Sequence, residues 1–150
     1  MSRHPYGDGR LGVWAIWAEG FAPKLRHRLP ALRRLGVTDV FLPREAGQSE
    51  RALVRDGGCF VGLYETPPHG LSASSYAARA IEDVSRLRIG VLELNIEGLP
   101  DGALADYVER VVQAVRAKLP HLRLRINVVP FKGAYLPADR FASDRQLFCV

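Results

Sequence analysis

Short apolar, β-rich runs alternate along this chain with stretches whose apolar residues recur every three or four positions. The runs begin near Leu11, Val37, Cys59, Gly90, Leu122 and Gln146. A short run that is apolar at nearly every position suits a strand buried on both faces. The amphipathic stretches between such runs suit the crossover helices that parallel strands require.

The first strand is expected over 11–18 and the first helix over 21–35, with Phe21, Leu25, Leu29, Leu32 and Leu35 along one stripe. Pro30 removes a backbone donor inside that helix and predicts a kink or a break, and Gly36 supplies a stop. A second strand spans 37–42, a short helix 48–55 and a third strand 59–64. Ser72 is placed to cap a helix running to about Arg88, with Tyr76, Ala77, Ala80, Ile81, Val84 and Leu87 facing inward. The fourth strand is expected over 90–96, and Pro100-Asp101 opens the most regular helix, stopped by Pro120. The fifth strand spans 122–129, a helical or irregular crossover 136–143, and the sixth strand 146–150. Arg123 and Arg125 alternate with leucines in the fifth strand, so one side of it must reach solvent or partners.

This order predicts an α/β fold of parallel βα repeats. Strand starts fall 22 to 32 residues apart, the spacing of a (β/α)8 barrel, but the chain supplies about six strands instead of eight. A doubly wound sheet usually opens with a glycine-rich turn for phosphate, and Ala18-Glu19-Gly20-Phe21 is not one. The expectation is therefore a single βα-repeat domain over 1–150, barrel-like and incomplete, forming the N-terminal portion of a TIM-type barrel. A complete six-stranded open sheet is the alternative. An apolar sixth strand with no helix after it leaves an edge to be covered by more chain or by a protein partner.

Composition narrows the setting. At 150 residues and 47% hydrophobic content the chain is long enough for one real core. The polar start MSRHPYGDGR has no apolar signal region, and no apolar run approaches a bilayer span. These features predict a soluble protein, cytoplasmic at synthesis, with no membrane insertion. Cys59 and Cys149 lie in different strand-like runs without metal spacing and read as small core hydrophobes. The net charge of +5 rests on arginine, which accounts for 18 of the 21 basic residues. Its densest stretch, Lys24, Arg26, Arg28, Arg33 and Arg34, interleaves with leucines at helical spacing and carries no aromatic residue to stack on bases. That pattern is a solvated helix face, and nucleic acid is not an expected partner.

Chemistry in a βα array gathers where strands end. The polar residues there are Trp17 and Glu19 after strand one, Arg44 and Glu45 after strand two, Tyr64 and Glu65 after strand three, Asn95 and Glu97 after strand four, and Asn127 and Lys132 after strand five. Carboxylates converging on one rim are what glycoside hydrolysis needs, one as acid and another as base or nucleophile. Glu93, Asn95 and Glu97 share one parity and so point to one side of an extended strand, toward a barrel interior. A carboxylate there is costly unless paired and takes a raised pKa suited to a general acid; for Glu93 the competing reading is an ion pair with Arg123 or Arg125. Trp14 and Trp17 are three apart, so they face opposite sides and at least one belongs to the core. His4, His27, His69 and His121 have no ligand spacing, and neither a metal nor another cofactor is expected.

The order of elements and the fourth-strand motif Asn95-Ile96-Glu97 resemble the N-terminal part of glycosidase-type TIM barrels, including lysozyme-like cell-wall hydrolases and related barrels attached to phage particles. Lysozyme-like barrels often carry Asp-x-Glu at the end of strand four; this chain keeps the candidate acid Glu97 and has Asn95 in place of the aspartate. Those enzymes also place an acidic residue at the first strand, where this chain has Trp17 and then Glu19. The resemblance implies a glycosidase-like domain that acts on or binds cell-wall or surface polysaccharide. Glu97 would be its acid, Glu65 or Glu19 the acid's partner, and Asn95, Tyr64, Asn127, Trp17 and Lys132 the sugar contacts. The alternative is a non-enzymatic minor tail or virion component built on a barrel-derived domain, a reading that Asn95 favours.

Overall fold

The computed structural model describes residues 10–15, 21–65, 67, 70–95, 101–127 and 147–149. Its elements run β1 (Leu11–Trp14), α1 (Phe21–Arg34), β2 (Val37–Leu42), α2 (Gln48–Asp56), β3 (Phe60–Glu65), α3 (Ala73–Leu87), β4 (Val91–Leu94), α4 (Asp101–Lys118), β5 (Arg123–Ile126) and β6 (Leu147–Cys149). The six strands form one sheet in chain order, every neighbouring pair parallel. Each crossover of the usual right-handed sense then steps the same way, so the helices gather on one side. A doubly wound sheet would need the order to reverse, and here it does not.

The sheet curls. Strands sit about 4.8 Å apart, so β1 and β5 of a flat sheet would be separated by about 19 Å. Yet Arg125 on β5 donates from Nη2 to the carbonyl of Arg10, just before β1, at 3.2 Å. Likewise Trp14 on β1 meets Glu93 on β4 at 2.9 Å, across two intervening strands. Only a strongly bent sheet makes both contacts possible.

Alternation along each strand divides the residues between two faces. The convex, helix-facing set includes Val40, Leu42, Leu63, Leu92, Leu94 and Leu124, none more than 1% exposed. They pack with Leu25 and Leu29 of α1, Val54 of α2, Tyr76 and Ala80 of α3, and Val108 and Val111 of α4. The concave face runs in slanted rows set by the register: Gly12, Asp39 and Phe60; then Trp14, Phe41, Gly62, Val91 and Arg123; then Tyr64, Glu93 and Arg125. Phe41 fills the middle of this face because two neighbours have no side chain. A β-carbon at Gly62 would sit 2.3 Å from Phe41 Cδ1, and one at Gly12 would sit 2.7 Å from Cε2.

The rest of the concave floor is charged. Asp39 is fully buried and pairs with Arg10 at 3.0 Å, Arg125 at 3.1 Å and Arg123 at 3.5 Å. The guanidinium of Arg125 also lies over the Phe41 ring at 5.3 Å, and that of Arg10 over Phe60 at 4.4 Å. Arg123 and Arg125 thus turn inward onto a carboxylate within the same sheet instead of reaching outward.

Local expectations are met with shorter strands. Ser72 caps α3, its hydroxyl accepting from the Ser75 N–H at 3.2 Å, and Gly36 takes the left-handed conformation (φ 86°) after α1. Pro30 does not break the chain into two helices: α1 runs through it. Pro30 lies on the exposed side, where the carbonyl it leaves without a donor can bond to water. Leu35 falls off the predicted stripe and is 73% exposed. Cys59 is a buried core residue whose thiol is pushed up in pKa by burial.

Two outcomes test this packing. Gly62→Ala forces Phe41 to move and is expected to cost about 1–3 kcal/mol of stability in urea unfolding. Asp39→Ala leaves buried guanidinium groups without their shared carboxylate and is expected to cost about 3–5 kcal/mol in the same assay.

Candidate functional site

The concave face opens at the C-terminal strand ends onto a cluster built from β1, β3 and β4. Trp14 ends β1 and is 53% exposed; of the two tryptophans expected to place at least one ring in the core, Trp17 lies outside the described residues. The Trp14 indole Nε1–H donates to Glu93 Oε1 at 2.9 Å, while Glu93 itself is 1% exposed. The rings of Trp14 and Tyr64 lie 5.9 Å apart, tilted by 55°. Asn95, 2% exposed, donates from Nδ2 to the Tyr64 hydroxyl at 2.5 Å. The four side chains form one connected group, with an open aromatic face at one end and a buried carboxyl beneath it.

Glu93 carries the distinctive electrostatics. Burial disfavours its charged form and pushes its pKa up to about 7, against the opposing pull of the Trp14 N–H and the Arg125 guanidinium. Arg125 is its register partner on β5, so the expected ion-pair neighbour is present. Arg125 is nevertheless committed to Asp39, and the Glu93 carboxyl holds a proton part of the time near neutrality. A group of this kind can accept or release a proton at working pH.

The sequence-derived candidates divide as follows. Tyr64 and Asn95 are brought together. Asn127 is half-buried just beyond β5, its backbone N–H donating to the Leu94 carbonyl at 3.0 Å. Glu65 closes β3, in register with Leu94. Glu97, Glu19, Trp17 and Lys132 lie outside the described residues. Arg44 does not serve the rim: its Nε pairs with buried Asp83 of α3 at 2.7 Å, and Arg86 takes the other oxygen of Asp83 at 2.6 Å. Buried Arg51 of α2 holds the loop below the rim, donating to the carbonyls of Pro43, Arg44, Ala46 and Gly47. Sequence reading passed over Asp39 and Asp83 as scaffold residues. For Asp39 a signal existed, since an aspartate inside the apolar run 37–42 demands a partner.

Among the described residues no group of three His, Cys, Asp or Glu side chains is placed to hold a metal ion. No helix among them is long and apolar enough to cross a membrane.

Glu93 makes stability depend on pH. Its folded pKa lies above the 4.5 of an unperturbed glutamate, so between about pH 4.5 and 7 the folded state binds the proton more tightly than the unfolded chain. Stability contributed by that proton is present at low pH and lost as pH rises to 7, by about 3 kcal/mol in all. Glu93→Gln is expected to abolish this slope, read as the difference between the two proteins' unfolding free energies across pH 4.5 to 8.

No protein-family model matches the chain, and no curated protein sequence matches it. Among solved structures it is similar to a mutant O-GlcNAc hydrolase from Thermobaculum terrenum, with a TM-score of 0.65 and 10% identity over 97% of this chain and 41% of that one. It is also similar to a D-psicose 3-epimerase solved in the presence of D-fructose, with a TM-score of 0.57 and 13% identity over 92% of this chain and 61% of that one. The chain therefore spans less than two-thirds of either structure, and the likeness is one of fold. That fold is an incomplete TIM barrel, a parallel βα array curled part of the way to closure.

Proposed function

We propose that the concave mouth of this barrel-type domain binds carbohydrate, and that the chain acts on or binds a cell-wall or surface polysaccharide as a glycosidase-like domain. The observation that carries this reading is the half-exposed Trp14 ring, joined to Tyr64, Asn95 and Glu93 at the C-terminal strand ends. An aromatic face offers apolar area to the C–H side of a sugar ring, and the phenol, amide and carboxyl offer directional partners to its hydroxyls. The TIM-barrel neighbours add support, since one is an O-GlcNAc hydrolase and the other was solved with D-fructose. In this reading 1–150 is the N-terminal portion of the barrel, and a protein partner or further chain covers β6.

Hydrolysis, within the same proposal, uses Glu97 as acid and Glu65 or Glu19 as its partner, with Trp17, Asn127 and Lys132 as further sugar contacts. The second reading, a non-enzymatic minor tail or virion component, draws on Asn95. An amide bonded to Tyr64 stands where the resembled hydrolases have a carboxylate, and it cannot act as acid or base.

Calorimetry with chitotriose and with soluble peptidoglycan fragments tests the binding site. Trp14→Ala is expected to weaken binding by tenfold or more while the far-ultraviolet spectrum is kept; unchanged affinity removes Trp14 from the site. Release of reducing ends by the parent protein, lost in Glu97→Gln, establishes hydrolysis. Binding with no hydrolysis by the parent protein favours the non-enzymatic reading.

A further inference from the structure

We propose that Glu93 is a positioning residue for the Trp14 platform, holding the indole by its N–H and coupling ligand binding on that ring to uptake of a proton. The ligand half of this inference rests on the carbohydrate reading; the positioning half does not.

The geometry is specific. Trp14 sits on the first strand, at the open edge of the sheet, with half of its surface in solvent. Among the described residues its polar atom has one hydrogen-bond partner, Glu93 Oε1, three strands away. An indole N–H is a donor with no acceptor capacity, so the carboxyl oxygen fixes the rotation of the ring about its own long axis. Glu93 itself is almost fully shielded from solvent.

The groups around Glu93 do not mask this coupling. From β5, Arg125 favours the carboxylate but is bonded to Asp39 of β2. From β3, Tyr64 shares its row and accepts a hydrogen bond from Asn95 of β4. Arg10 and Arg123 belong to the Asp39 cluster on the floor. A ligand lying on half-exposed Trp14 displaces solvent from the far face of the ring that bonds Glu93, lowering the polarity around the pair, and adds no countercharge when it is a neutral sugar. Further burial disfavours the carboxylate, so the bound state holds the proton more tightly than the free state. By linkage, affinity is greater below the carboxyl's transition and declines as pH rises through it.

Glutamine separates the two roles, because it keeps an acceptor oxygen and cannot titrate. In a proton–nitrogen correlation spectrum the two tryptophans give two indole signals, and Trp14→Phe identifies the one that matters. In the parent protein this signal is expected to titrate with a midpoint near neutrality. In Glu93→Gln it is expected to stay near its hydrogen-bonded position without titrating. In Glu93→Leu, with folding checked by circular dichroism, it is expected to move to the solvent-exposed value. With chitotriose as probe, the parent protein's affinity is expected to fall by about 2- to 5-fold from pH 6 to pH 8, the effect of a pKa shift of about half a unit to one unit on binding. Glu93→Gln is expected to bind with little pH dependence.

An indole signal that is flat between pH 5.5 and 8.5, or one that still titrates in Glu93→Gln, overturns the positioning role. Equal pH dependence of chitotriose affinity in both proteins overturns the proton coupling. Absence of chitotriose binding at pH 6 overturns the ligand half together with the use of this probe for the site, while the indole titration still decides the positioning half.

Discussion

Six parallel strands in chain order, joined by crossovers of the usual right-handed sense, gather the described helices on one face of the sheet. That constraint governs the rest of the molecule. The convex face is sealed by α1 to α4 over aliphatic side chains, but the concave face must be filled by the sheet's own residues. Curling solves part of the problem by bringing β1 within reach of β4 and β5. Gly12 and Gly62 admit the Phe41 ring, and below it Asp39 draws three arginines to one point. A buried carboxylate is tolerable only because cations and ring faces surround it.

The mouth of the bowl follows from the same geometry. Trp14, Tyr64 and Glu93 are distant in sequence and lie on three different strands, yet the curl places them in contact. Burial pushes the pKa of the Glu93 carboxyl up to about 7, against the pull of the Trp14 N–H and of Arg125, which also pairs with Asp39. Structural charge on the floor and protonable chemistry at the mouth are thus two ends of one packed layer.

Much of the architecture was legible because it depends on periodicity. Alternating strands and amphipathic helices, the Ser72 cap and the Gly36 stop are local properties, and each appears where the chain's pattern places it. That Tyr64 and Asn95 stand together at the strand ends was readable for the same reason, since strand ends can be located from pattern and parity. The errors have a common origin in partners that are remote in sequence. Arg44 looked like a rim residue until α3 supplied Asp83, and Arg123 and Arg125, read as reaching solvent or partners or as pairing with Glu93, are carried by the curl to Asp39. Pro30 failed as a breaker because an exposed helix face can give its orphaned carbonyl to water.

The repeating βα pattern by itself determined the α/β class, the parallel sheet and the barrel-like spacing, since backbone hydrogen bonding and side-chain period leave few other solutions. Parity alone also put Glu93 and Asn95 on one side of β4. The tertiary structure alone decided what that side meets. Whether a carboxylate is ionised, paired or protonable depends on distances of a few ångströms to groups tens of residues away, and no local pattern encodes them. For Glu93 those groups are Trp14 and Arg125, and the curl of the sheet is what brings them to it.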